Sequence, residues 1–159
     1  MFGPSQAPNP DLKMTEDTNA LAVTLFSEIL TADQLLRNRL SRVLPKGMEI
    51  SHFSVLNHLA SVGGERSPAQ LASTFHVTRG AITNTLAKLE WAGYIHIRPD
   101  WDDARRKMVA LSPAGLQARD RAISAIAPLI TKVVGELGTN RVRTALPVLR
   151  DLRIQLEDG

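Results

Sequence analysis

The chain of 159 residues contains no cysteine. That excludes disulfides, thiolate zinc sites and any switch that works by thiol oxidation. Long apolar runs are also missing: none reaches the roughly 18 residues needed to cross a bilayer. The opening MFGPSQAPNPDLK carries neither an apolar stretch nor a dense basic cluster of the kind found in targeting segments. The expectation is a cytoplasmic protein. Charge of one sign is scarce, with a formal net charge of +3, which suits a nucleic-acid partner without arguing for one. Between Ser51 and Leu111 seven basic residues stand against five acidic ones, so placement must carry any electrostatic argument. No internal repeat, phosphate-binding loop or nucleophile–base spacing is visible, and no catalytic residue or cofactor is expected. His52 and His58 are six apart and off a common helical face, while His76 and His96 lie in other elements. A metal site would need tertiary convergence, and none is expected.

What is present is a soluble globular composition, 43% hydrophobic and 22% charged. Residues 1–17 read as a disordered tail, since Pro4, Pro8 and Pro10 each oppose helix. From about Thr18 to Leu44 the apolar residues Leu21, Leu25, Ile29, Leu36, Leu40 and Val43 recur at helical spacing, and Pro45 and Gly47 end the run. A second helix is expected over Ser51–Ser61, capped by Ser51 and closed by Gly63 and Gly64. Ser67-Pro68-Ala69-Gln70 starts a third: Ser67 caps, Pro68 takes the first helical position and Gln70 completes a capping box. It runs to about Phe75. His76 and Val77 turn the chain, and Thr78 caps a fourth helix reaching about Ala92, where Gly93 stops it. Tyr94–Arg98 and Lys107–Leu111 alternate as strands around the polar run from Asp100 to Arg106, which makes a hairpin with a long loop. Ser112 and Pro113 open a helix carrying Ile123, Ile126, Ile130, Val133 and Leu137. Gly138 breaks it, and a last helix follows from Thr139 to about Leu156.

The fold class is therefore mainly α with one small β-hairpin. Residues 48–111 form a winged helix-turn-helix, and residues 18–47 and 112–157 form a helical region built from both chain ends. The apolar faces of that region exceed what one small lobe covers. They pack across a twofold axis as a homodimer, or within a monomeric bundle.

On the fourth helix Ile82, Leu86 and Leu89 share the core face. The other positions are Arg79, Gly80, Thr83, Asn84, Ala87 and Lys88. Small residues permit close approach to a groove, while Arg and Asn make bidentate contacts to base edges. An ordinary solvated face has the same composition; the preceding turn and following hairpin favour DNA. Ser67, Gln70, Ser73 and Thr74 are candidate phosphate contacts. In the loop, Arg105, Arg106 and Lys107 follow Asp100, Asp102 and Asp103. A loop aspartate paired with an arginine would aim the guanidinium at a narrow minor groove. Trp101 reads as a packing residue at the base of the loop.

Several of these residues form a pattern: Leu71-Ala72, Leu89-Glu90, Gly93-Tyr94-Ile95, Arg98, Asp103-Ala104-Arg105, and Leu111-Ser112-Pro113-Ala114-Gly115. Over about Ser51–Gly115 this resembles the MarR (multiple antibiotic resistance regulator) family of winged-helix transcriptional regulators. The resemblance implies a homodimer on a pseudo-palindromic operator, most often a repressor, with recognition helices roughly 34 Å apart. It makes Arg105 the minor-groove arginine, Asp103 its orienting partner and Arg98 a support at the wing base. Gly80 departs from the pattern by removing a side chain that would read a base. The resemblance also implies release by a small anionic or phenolic effector. Without cysteine, the thiol-oxidation branch of the family is excluded. Arg37, Arg42, His52, Asn57 and His58 are candidates to line an effector pocket, or are simply surface polar residues. The alternative function is a winged-helix protein–protein interaction module without specific DNA binding.

Overall fold

The computed structural model of the chain describes residues 10–157. The order is α1 (Pro10–Val43), α2 (Ile50–Val62), α3 (Pro68–Thr74), α4 (Arg79–Trp91), β1 (Ile95–Pro99), β2 (Lys107–Leu111), α5 (Pro113–Leu137) and α6 (Thr139–Glu157). This is the expected mainly helical fold with one hairpin. The chain divides into two compact units, one ending at Arg42 and one beginning at Val43.

The first unit is α1. Residues 10–17 of the expected tail are helical, because α1 opens at Pro10. Proline is tolerated at a first helical position, where its missing N–H would have had no partner. Pro4 and Pro8 lie outside the described residues. Along α1, Leu21, Leu25, Phe26, Leu30, Leu35 and Leu36 are exposed.

The second unit holds the core. Val55, Leu56 and Leu59 of α2, Leu71 of α3, Ile82, Leu86 and Leu89 of α4, Ile95 of β1, Val109 of β2 and Ala118 of α5 form one buried cluster. The start of α2 differs from expectation. Glu49, not Ser51, is the cap residue, and its backbone N–H donates to Nδ1 of His52 (3.1 Å). A histidine three residues on thus does the work usually given to Glu or Gln in a capping box. Gly63 ends α2 at φ 63°, in the left-handed region. α3 starts as expected: the Ser67 hydroxyl accepts from the Gln70 N–H (3.2 Å), and Gln70 Oε1 accepts from the Ser67 N–H (2.9 Å). Thr78 caps α4 by accepting from the Ala81 N–H (3.1 Å).

β1 and β2 pair antiparallel, with Ile95 opposite Leu111 and Ile97 opposite Val109. Arg66 adds a third, one-residue rung by exchanging backbone bonds with Val109 (3.0 and 2.8 Å). A single rung has no alternation to read from sequence. At the far end of β2, Ser112 donates its N–H to the Tyr94 carbonyl (3.0 Å) and its hydroxyl to the Gly93 carbonyl (2.6 Å). The same hydroxyl accepts the Gly115 N–H (2.9 Å) and so caps α5. A Cβ at Gly115 would lie 2.0 Å from the Tyr94 oxygen. The first half of α5 buries Ala118, Ala122 and Ile126, while Ile130, Val133 and Leu137 beyond Pro128 are exposed. No residue of α6 is buried.

Gly115→Ala is expected to destabilise the protein by about 1–3 kcal/mol, because neither backbone can move aside cheaply. Gly80→Ala is the internal control: a Cβ there meets nothing within 4 Å, and helix propensity predicts a gain of up to about 1 kcal/mol. Urea unfolding of the two variants checks both, and equal stabilities would contradict the packing account.

Candidate nucleic-acid interface

With its apolar stripe in the core, α4 leaves Arg79, Gly80, Thr83, Asn84, Ala87 and Lys88 exposed. The start of α3 and the wing converge on this helix. Ser67, Pro68, Ala69, Gln70, Arg79, Thr83, Arg105, Arg106 and Lys107 line one open groove of about 510 Å³. Four of these are cations and none is a carboxylate. Residues far apart in sequence thus form one basic surface around the N-terminal turn of α4. Asn84 and Gly80 are exposed on α4 outside this lining, and Ser73 and Thr74 occupy the other end of α3.

Local hydrogen bonds sort the candidates. Ser67 is only 4% exposed and its hydroxyl is engaged in the cap, as read from the sequence. Gln70 spends its Oε1 on the cap and keeps its amide N–H groups. Thr74 donates its hydroxyl to the Gln70 carbonyl (2.9 Å) and Thr83 to the Arg79 carbonyl (2.7 Å). Lys88 does not join the groove. Its Nζ lies 3.3 Å from Oε1 of Glu49, at the entrance of α2.

The wing loop is held by its acids, though not in the way the sequence suggested. Asp103 Oδ1 accepts the backbone N–H of Arg105 (3.0 Å), and the Asp103 carbonyl accepts the N–H of Arg106 (2.9 Å). Asp103 therefore shapes the turn under Arg105 without gripping its guanidinium. An aspartate reaching the backbone two residues on is the usual way such a turn forms. Asp100 is the carboxylate that faces an arginine side chain, 3.8 Å from Nε of Arg106, and it also accepts the Asp102 N–H (3.1 Å). Among the described residues the Arg105 guanidinium has no ion-pair partner.

Arg98 supports the wing base as expected. Its guanidinium forms a fork with both oxygens of Glu65, donates from Nη1 to the Pro99 carbonyl (2.7 Å), and lies 4.6 Å from the ring centre of Trp101. Glu65, next to the Arg66 rung, ties the wing to the segment before α3. Trp101 is a correction: at 84% exposed it is a surface platform over the guanidinium and not a packed residue. Sequence reasoning missed Glu65, Arg66 and Glu49. A partner 33 residues away leaves no local signal.

Within each unit most of the candidate effector residues have local partners. Arg37 pairs with Asp33 on α1 (2.9 Å), and Arg42 is exposed at the end of that helix. On α2, Asn57 Oδ1 accepts from Nε of Arg119 (3.0 Å), and His58 packs edge-on against Phe75 with ring centres 5.6 Å apart. Of the three α2 candidates, His52 alone lines a sizeable cleft. That cleft, of about 600 Å³, lies between the entrance of α2, the end of α4, Tyr94 and Arg121. Burial pushes the His52 pKa below the ordinary histidine value, with the Glu49 carboxylate and the Gly47 backbone opposing the shift and Lys88 adding to it. Its Nε2 is buried and has no hydrogen-bond partner.

Residues 46–106 match the model of the MarR family. The chain is 24% identical over 149 residues to the uncharacterized HTH-type transcriptional regulator YdgG of Bacillus subtilis (strain 168), covering 92% of this chain and 97% of that protein. Its fold is similar to that of a cysteine-substituted MarR from E. coli complexed with operator DNA: TM-score 0.75, 22% identity, 82% of this chain and 94% of the other. It is also similar to the organohalide-sensing RdhR transcriptional regulator in its 2,4-dichlorophenol-bound form: TM-score 0.77, 18% identity, 98% and 89% covered.

The buried neutral His52 sets a pH dependence. Unfolded histidine titrates near 6.5 and His52 in the fold titrates lower, so the unfolded chain takes up the proton first as pH falls. The stability from neutral His52 is fully present above 6.5 and is lost as pH drops through the lowered value. Urea unfolding between about pH 5 and 8 should show this slope, and His52→Gln should flatten it. An unchanged slope in the variant would contradict the assignment.

Proposed function

We propose, from the match of residues 46–106 to the MarR family model, that the protein is a homodimeric, sequence-specific double-stranded DNA-binding transcriptional regulator. It acts as a repressor on a pseudo-palindromic operator in the cytoplasm. The observation that carries the reading is the groove shared by α3, α4 and the wing. Arg79, Arg105, Arg106 and Lys107 line it without a carboxylate, as a surface that follows a phosphate backbone requires. Gly80, Thr83 and Asn84 give the exposed face of α4 a small and polar profile suited to a major groove. Arg105 enters the adjacent minor groove from a turn held by Asp103.

Dimerisation draws its support from the far half of α5 and from α6. Ile130, Val133 and Leu137, then Leu146, Leu149 and Ile154, are exposed, a series of large apolar side chains of the kind that marks an interaction surface. A second copy of the chain covers them and sets the spacing of the two recognition helices. Release by a small organic anion or phenol completes the proposal. The reading gives the protein no catalytic role.

Fluorescence anisotropy with the DNA upstream of its own gene tests this. Binding should weaken steeply with salt. Arg105→Ala should weaken operator and random DNA alike and lower the salt slope by about one, whereas Asn84→Ala should chiefly relax sequence preference, by about 1–3 kcal/mol. Identical profiles for the two variants would contradict this division of labour. Absence of binding even at low salt would instead favour a protein–protein interaction module.

A further inference from the structure

We infer that Thr83 is a specificity-determining residue that reads the 5-methyl group of a thymine in the major groove, and that Gly80 leaves the gap through which it comes close enough. The inference rests on the proposed function and deepens it, from binding DNA to the kind of base that the N-terminal half of α4 selects.

The hydroxyl of Thr83 is committed to its own helix. It donates to the Arg79 carbonyl at 2.7 Å, the usual distance for a hydroxyl donor. Threonine has few side-chain wells in a helix, so fixing its hydroxyl also fixes its methyl group. The side chain is exposed and lines the basic groove. What it offers a base edge is an apolar methyl and a lone pair on Oγ1, with no free donor. The surrounding groove is rich in donors. Gln70 has its Oε1 on the Ser67 N–H and keeps its amide protons, while Arg79, Arg105, Arg106 and Lys107 carry donors alone. Thymine has the matching major-groove edge, because it sets a methyl group beside an acceptor, O4. Adenine and cytosine each present an amino donor there, and guanine presents acceptors without a methyl.

A methyl on so short a side chain touches a base only if the helix backbone comes close. Gly80 precedes Thr83 by three residues, which makes the two neighbours on the helix surface. Glycine within a helix weakens it relative to alanine, and nothing inside the protein calls for one here. Gly80 lies in α4 and is exposed, and a Cβ on it would meet nothing within 4 Å. Gly115 is the contrast, since a Cβ there would strike the Tyr94 backbone. The open space at Gly80 therefore serves a surface outside the protein, as glycine does wherever a backbone approaches a ligand closely.

The test is uracil scanning of the DNA upstream of the protein's own gene, read by fluorescence anisotropy with the full chain. Replacing thymine by uracil removes only the major-groove methyl and leaves base pairing and the minor-groove edge intact, so contacts of the wing are untouched. Among the thymines replaced one at a time, one in each half-site should weaken binding by about fourfold, and the two together by about tenfold or more. Thr83→Ser, which keeps the hydroxyl and loses the methyl, should bind the thymine and uracil duplexes alike. Thr83→Val, which keeps a methyl and loses the hydroxyl, should still prefer thymine. Gly80→Met should weaken operator binding and erase the preference while the chain stays folded, because the space it fills is free within the protein. The inference is overturned if no thymine matters, if the preference persists in Thr83→Ser or vanishes in Thr83→Val, or if Gly80→Met binds like the unmodified chain. Salt-dependent operator binding that is indifferent to uracil would overturn the inference and leave the proposed function standing; no binding at any salt concentration would overturn both.

Discussion

The structure depends on one close approach, where the start of α5 meets the backbone between α4 and β1. Ser112 donates to the carbonyls of both Gly93 and Tyr94 and caps α5 with the same hydroxyl. Gly115 lets the first turn of α5 sit so near Tyr94 that no side chain fits. The end of α4, the start of β1 and the start of α5 are thereby fixed at a single point. The contacts are backbone and hydroxyl, short and directional, so rotation of one element strains the others. A groove reader needs this rigidity, because its helix and wing must meet the duplex in a fixed relation.

Out from that point, the wing divides its charged residues between holding and reaching. Arg98 is committed to Glu65, Pro99 and Trp101, and Asp100 and Asp103 are spent on the loop backbone. Acids beside the arginines are therefore part of the scaffold. What they leave without a carboxylate partner among the described residues are Arg105, Arg79 and Lys107 around the same groove, while Arg106 faces Asp100. The net charge of the chain is small because the scaffold uses acids; the local potential is set by which cations remain uncommitted.

The sequence was most legible where chemistry is local. Caps at Ser67, Thr78 and Ser112, the glycine stops at Gly63, Gly93 and Gly138, the core stripe of α4 and the hairpin strands all act within a few residues of themselves. It was least legible where partners are distant or unusual. Glu65 meets Arg98 across 33 residues, the Arg66 rung is a single residue, and His52 replaces the expected Glu or Gln of a capping box. Asp103 was singled out by the family resemblance, but an aspartate binds a guanidinium or a backbone amide equally well, and spacing alone does not choose. The surroundings of the effector candidates on α2 were illegible for a related reason. His52, Asn57 and His58 share a helix, yet its turn sends them to a cleft, to Arg119 and to Phe75 respectively.

The central claim is that two copies of this groove read a duplex, with each wing in a minor groove. The absence of cysteine allows a direct measurement, since one introduced thiol is a unique point of attachment. An iron chelate tethered at Ala104→Cys, beside Arg105 at the exposed wing tip, cleaves DNA where the wing lies. The account predicts two clusters of cuts, symmetric about the operator centre and offset across the minor groove. A single cluster, or cleavage spread evenly along the DNA, would contradict it.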